Sequence, residues 1–261
     1  MLKKGLKLSV LVILICFIFA TGCSTKKVDI KSINDLENRN VGIYTGSEYD
    51  NILTKTIKNA KAMYYNSYSD EISALKSGKV DGFLTDEPLA KEITLNNSNL
   101  KILDEKLTND SYAFAITPNK KELKEEIDKV IIEMKNNGTL KKFENKWMGN
   151  DDSKKVLNHY DNKTQTIKFA TVSGSAPFAY MKNNRIVGYD IDIINYIGDK
   201  LNYNVEVIEM SFEGIIPALK SGKVDVAGCS IIVTEERKKS VLFSEPNYTG
   251  GIVVVVRDDK K

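Results

Sequence analysis

Histidine is almost missing from these 261 residues: His159 stands alone in a polar stretch. That makes a histidine-dependent catalytic triad or a histidine-rich metal site a poor reading. Cysteine is nearly as scarce, with Cys16, Cys23 and Cys229 the whole supply. An excess of one charge is lacking too, since Lys+Arg 38 against Asp+Glu 35 leaves only +3, a balance that argues against a nucleic-acid partner. The apolar run Leu8 to Phe19 is about a dozen residues, too short to span a bilayer. With Lys3, Lys4 and Lys7 ahead of it, the run fits the core of a signal peptide and is set aside from the fold.

What the sequence does have is a repeat. Ala74 to Asp81 reads ALKSGKVD, and Ala218 to Asp225 carries the same letters. Each copy predicts a helix that ends at Ser-Gly (Ser77-Gly78, Ser221-Gly222), with glycine as the left-handed cap, followed by a strand that starts at valine. Two copies are too few for a solenoid and point to two similar lobes. The second copy sits in the richest stretch of the chain, Phe212 to Arg237, which holds a helix, a turn, a buried strand and a charged helix start.

From Asn40 the pattern alternates β and α. Asn40 to Tyr44 predicts a strand, and Ser47 with Asp50 a capping-box-like start for the next helix. Tyr68 to Lys76 is the first repeat helix, Val80 to Leu84 a strand, and Asp86 opens a helix with Pro88 in its first turn. Strands at Leu100 to Leu103 and Tyr112 to Thr117 complete a small doubly wound unit. Leu123, Ile127, Val130, Ile131 and Met134 share one helix face. Leu140, Phe143 and Trp147 mark a shorter helix, with Trp147 read as core. Gly149 to Gln165 is polar and reads as a linker. A second α/β unit follows, with strands at Thr166 to Val172, Asn204 to Met210, Val224 to Ser230 and Gly250 to Val256.

The segment Ala20-Thr21-Gly22-Cys23 resembles the lipobox of bacterial lipoproteins, in which the cysteine takes the lipid and becomes the mature N-terminus. An ordinary secretory signal is the alternative. With Cys16 removed and Cys23 lipidated, Cys229 has no partner, so no disulfide framework remains; it reads as a small packed residue.

Ser175-Ala176-Pro177-Phe178, Gly188-Tyr189-Asp190-Ile191-Asp192, Phe212 to Leu219, Val233 to Arg237 and Phe243 to Tyr248 together resemble lobe 1 of the family 3 solute-binding proteins, amino-acid receptors of ABC importers. Ile33 to Trp147 resembles the rest of that family. The resemblance implies an α/β, two-lobed periplasmic-binding-protein type 2 (Venus-flytrap) fold. The halves stand in exchanged order, which implies circular permutation; a fragment of a tandem or fused gene is the rival account. The implied division is a signal peptide at 1–22, a tether at 23–31, lobe 2 at 32–117, helices packing on lobe 1 at 118–149, a linker at 150–165, lobe 1 at 166–257 and a tail at 258–261. One crossover, near Tyr112 to Pro118, would stay covalent, and both ends would lie beside it at the hinge.

For the site, the resemblance implies that Arg237 forks onto a ligand carboxylate and Asp86 takes the ligand ammonium. Ser47 would present helix N-terminal amides to the same carboxylate. Phe212 would stack on the ligand, while Ser230 and Ile232 would act through backbone groups. Ser175 stands where the family often has an aromatic, and no acid lies just upstream, which weakens a lysine or arginine ligand. Glu48 stands at a place where a hydroxyl residue is common, and would repel a ligand carboxylate unless it turned outward or met a cation.

The function implied is a lipid-anchored, monomeric receptor on the extracytoplasmic face of the bacterial membrane. It would capture a polar or neutral amino acid and deliver it to an ABC permease, with neither metal nor cofactor. Two alternatives remain: a dehydratase-like cleft enzyme with Glu48 as acid, and a sensory module.

Overall fold

The computed structural model describes residues 29–149, 163 and 165–258. The expected signal peptide, Cys23, most of the tether, most of the linker with His159, and the last tail residues lie outside them. No helix among the described residues is long and apolar enough to cross a membrane.

After a short turn of 3-10 helix at Ile33–Leu36, the chain lays down β1 (Asn40–Tyr44), α1 (Tyr49–Thr56), β2 (Lys61–Tyr65), α2 (Tyr68–Ser77), β3 (Gly82–Asp86), α3 (Glu87–Asn96) and β4 (Leu100–Ile102). Two short strands, β5 (Asp110–Tyr112) and β6 (Ala115–Ile116), lead to α4 (Lys121–Asn136) and α5 (Thr139–Met148). The second half runs β7 (Gln165–Thr171), β8 (Gly174–Ser175), β9 (Ala179–Lys182), β10 (Arg185–Val187), α6 (Tyr189–Leu201), β11 (Tyr203–Glu209), α7 (Phe212–Lys220) and β12 (Val226–Ala227). Then come α8 (Glu235–Lys238), β13 (Leu242–Phe243), β14 (Tyr248–Gly250) and β15 (Ile252–Arg257).

Both repeat helices end as their sequence dictates: Gly78 and Gly222 take φ of 79° and 71°, a conformation glycine adopts without a Cβ penalty. Each helix then feeds a buried strand of its own sheet.

The sheet of lobe 2 has the order β2-β1-β3-β15-β4, and that of lobe 1 the order β11-β7-β12-β6-β13. In each, one strand comes from the other half of the chain. The last strand, β15, lies antiparallel between β3 and β4, and β6 lies antiparallel between β12 and β13. The apolar run of β15, Ile252 to Val256, is buried throughout because the sheet is covered on both faces.

This corrects three expectations. The lobe boundaries at 117 and 257 each fall past a strand that belongs to the other lobe. Tyr112 to Thr117 is not one strand, because the chain leaves the crossing at Tyr112 and enters the lobe 1 sheet at Ala115. The chain crosses between lobes twice, and both crossings are covalent; at the crossing β5 and β14 pair antiparallel, Tyr112 opposite Tyr248.

The ends lie elsewhere. Lys101 pairs in register with Val256, and its Nζ stands 3.6 Å from Asp29 Oδ1. Both ends of the described chain therefore meet on lobe 2. They lie toward Gly82, at the opposite end of β3 from Asp86, because β15 runs from beside Asp86 to beside Gly82.

The apolar faces of α4 and α5 are buried in lobe 1. Ile127, Val130, Ile131 and Trp147 share a core with Phe169, Tyr189, Ile193 and Ile197. The Trp147 indole donates to Asp192 Oδ2 at 2.8 Å, so its one polar atom is satisfied within the core.

Candidate functional site

The C-terminal end of β3 and the turn after β12 face one another between the lobes. Asp86 closes β3 and precedes α3, yet its carboxylate does not cap that helix. Instead it accepts hydroxyls from Tyr112 at 2.7 Å, Ser230 at 2.8 Å and Tyr49 at 2.9 Å. It is 1% exposed. Burial raises its pKa, and the hydroxyls of Tyr112, Ser230 and Tyr49 oppose that shift. The Tyr49 and Tyr112 hydroxyls are themselves pushed upward, first by burial and then by the Asp86 charge.

Ser230 reaches Asp86 because its backbone is left-handed, φ 46°, an unusual state for a non-glycine residue. That turn aims its amide at Asp190 Oδ2, 3.3 Å away, while its hydroxyl crosses to lobe 2. Asp190, at the start of α6, also accepts from Asn247 at 3.3 Å, and burial pushes its carboxyl up to about 7.

Arg237 sits on the single turn α8, whose first residue position is set by Thr234: the Thr234 hydroxyl accepts from the Arg237 amide at 3.2 Å. The guanidinium is almost wholly buried. Nη1 donates to the Ile232 carbonyl at 3.0 Å and Nη2 to the Gly46 carbonyl at 3.3 Å. Nε lies 3.5 Å from Glu48 Oε1, and the group stands 5.6 Å from the Phe212 ring centroid. Burial lowers its pKa, and the Glu48 charge opposes that. Gly46 and Glu48 come from lobe 2 and Arg237 from lobe 1, so these contacts bridge the lobes.

Between these groups lies a small closed space with room for about one water molecule. Ser47, Glu48, Phe212, Ser230, Ile232 and Arg237 line it, together with Tyr44, Tyr49, Tyr68 and Cys229. Asp86 lies just behind, reached through Tyr49 and Ser230. Of the residues singled out in the sequence, Ser175 is the one that stands apart: it is buried against the Cys229 thiol and does not line the space. The thiol is pushed up to about 12 by burial. Among the described residues no cluster of histidine, cysteine, aspartate or glutamate could hold a metal ion.

Two details differ from the sequence reading. Ser47 forms no capping box with Asp50; its hydroxyl donates to the Tyr44 carbonyl at 2.6 Å and accepts from the Tyr49 amide at 3.2 Å. Glu48, not Ser47, holds the cap position of α1. The aromatic residues of lobe 2 were missed. Tyr44 and Tyr68 stack with centroids 4.5 Å apart. The repeat contained the signal for one of them: read upstream from the matched letters, Tyr68 falls at the place of Phe212, each the first residue of its helix.

Residues 167–261 match the family of bacterial extracellular solute-binding proteins, family 3. Over that stretch the chain is similar to the family. Proteins similar to it include a probable histidine-binding protein of Campylobacter jejuni, 38% identical over 87 residues, 33% of this chain and 34% of that one. The arginine-binding extracellular protein ArtP of Bacillus subtilis is 39% identical over 83 residues, 32% of each chain. Among solved structures, the arginine-bound domain 1 of TmArgBP is 31% identical, covering 36% of this chain and 82% of that one at a TM-score of 0.31. The chain spans about a third of the length of the two curated relatives.

Proposed function

We propose that this protein is an extracytoplasmic receptor that captures an amino acid between its two lobes and delivers it to an ABC importer. The observation that carries the reading is that Arg237 of lobe 1 lines a desolvated space between the lobes whose Tyr49 and Ser230 hydroxyls donate to Asp86 of lobe 2 just behind it. A zwitterion requires such a pair, a fork for its carboxylate and an anion for its ammonium. Relatives named as histidine- and arginine-binding proteins support the ligand class. Entry requires the lobes to part, and the paired strands β5 and β14 are the joint about which they would turn.

The finer parts of the reading rest on sequence. The ligand is polar or neutral, since no acid near Ser175 stands ready for a side-chain cation. The protein is monomeric and held to the membrane by lipid on Cys23, which lies outside the described residues. The chain is a circular permutant of the family it resembles: the residues that match the family model come last, and Asp29 and Val256 both adjoin Lys101.

Thermal-shift titration of the protein lacking residues before Ser24, against all common amino acids, tests the function. A saturable rise in Tm with at least one polar or neutral amino acid is expected, even if only at high concentration; no response to any of them up to their solubility limits would refute it.

A further inference from the structure

The carboxylate end of the cleft is already engaged. All three nitrogens of Arg237 have partners within the protein, and the ionic one is Glu48. Glu48 is held on both oxygens, because Oε2 accepts from Asn51 Nδ2 at 3.0 Å while Oε1 faces Arg237. Its side chain is 18% exposed and that of Arg237 9%, so the pair is little screened by solvent. A ligand carboxylate reaching for this guanidinium would come within contact range of a like charge that cannot move aside without losing Asn51.

The ammonium end is the reverse. Asp86 receives three neutral hydroxyls and no cation. Burial raises the Asp86 pKa, and the hydroxyls that all point at its carboxylate oppose that and favour the ionised form, which a cation would pair. One guanidinium thus faces two carboxylates, Glu48 and Asp86, with Asp190 behind the Ser230 amide. A zwitterion adds no net charge to that set, whereas a monocation balances it. Ring faces suit the same guest, since Tyr44 and Tyr68 stack beside the space and Phe212 stands edge-on to Tyr44.

We infer that Glu48 is a specificity-determining residue that turns the cleft toward a monocationic ammonium compound, an amino-acid derivative or amine with no free carboxylate, and away from the zwitterionic amino acid. This rests on the amino-acid reading above: Asp86 keeps its role at the ammonium, and what changes is the carboxylate end.

The test is calorimetric titration of the full chain in detergent with amino acids and their α-amides, glutamine with glutaminamide and alanine with alaninamide, and with the matching simple amines. Wild type, Glu48→Gln and Glu48→Thr are compared, the second variant standing in if the first fails to melt cooperatively. In the wild type the amide should bind at least tenfold more tightly than its parent acid. Either variant should bring that ratio below threefold or invert it. The amines separate the two sources of the cation: binding as tight as the amide points to an amine, weaker binding to a masked amino acid. A wild type that favours the acid tenfold, or a ratio untouched in both variants, overturns the inference. Absence of binding for every compound in all three proteins would instead remove the amino-acid reading, and this inference with it.

Discussion

Ser230 donates its hydroxyl to Asp86 at 2.8 Å across 144 residues of chain, and the two stand at the same place in the two copies of the repeated unit. Each copy builds a helix, a glycine cap and a buried strand; Asp86 ends the one strand, Ser230 lies in the turn after the other, and the two side chains meet. The lobes meet, repeat against repeat, at the cleft. Predictions about that cleft follow from which side of the contact is charged.

Asp86→Asn should cost ligand affinity without costing stability. The amide retains acceptors for part of the hydroxyl cluster and removes a buried charge, so the Tm should hold or rise. The ligand ammonium loses its counter-ion, a loss of about 2–5 kcal/mol, or thirtyfold and more in Kd. Calorimetry paired with a thermal melt reads both; unchanged affinity would remove Asp86 from the site.

Gly46→Ala should impede closure of the lobes. Gly46 has φ of +80°, and a Cβ there would stand 3.0 Å from Cα and Cβ of Glu213 on the opposite lobe. Nothing in either core is touched, so the expected signature is at least a tenfold rise in Kd, with a larger radius of gyration in small-angle scattering at saturating ligand.

Glu71→Leu should stabilise the protein. Glu71 is fully buried, neither carboxylate oxygen has a hydrogen-bond partner, and burial raises its pKa well above the ordinary value. The residue at its place in the other repeat helix is Ile215, also buried. Relief of an unsatisfied buried group is worth about 1–3 kcal/mol. Urea denaturation should show the midpoint rising with the slope unchanged.

Stability should fall as pH rises from mild acid to neutrality. Asp190 has its pKa raised from 3.8 to about 7 by burial, and Glu71, Asp86 and Asp192 are raised as well. A folded-state pKa above the unfolded one means the folded protein holds the extra proton between those values. That contribution is complete below the unfolded pKa and is lost as pH climbs through about 7. One such group gives a slope of at most about 1.4 kcal/mol per pH unit. Melts between pH 5 and 8 should show the decline, and Asp190→Asn should flatten it.

Joining residue 258 to residue 29 by a short linker, and opening the chain within residues 150–162, should give a protein that folds and binds as before. The two ends already adjoin Lys101, so closure asks little of the backbone. A Tm within about 5 °C and an unchanged ligand profile are expected, and loss of folding would count against the permutation.

The elements of regular structure were legible where a single period or cap decides them. The helix face of Ile127, Val130 and Ile131, the glycine caps and Trp147 as core all follow from local pattern. The resemblance also grouped Arg237, Asp86, Phe212 and Ser230, and the structure places Arg237, Phe212 and Ser230 on one space with Asp86 behind Ser230. What the sequence could not give was the exchange of strands. The run from Tyr112 to Thr117 is apolar enough for one strand, and nothing local marks the break at which it changes sheets; the partner strands that impose it lie in the other half of the chain. Lobe boundaries drawn from the resemblance therefore fell one strand past each crossing. For Glu48 the sequence left two outcomes open, turning outward or meeting a cation, and only the approach of Arg237 from the other lobe decides between them.

The meeting of both ends on lobe 2 fixes how the molecule can be handled. Anything joined ahead of Asp29 or behind Asp258 hangs from the same lobe, so two fluorophores fused there would ride together and register nothing of ligand capture. The helix α5 and the strand β7 both belong to lobe 1. One label on the exposed face of α5 and one at either end would sit on opposite jaws, and their separation would report the bite directly.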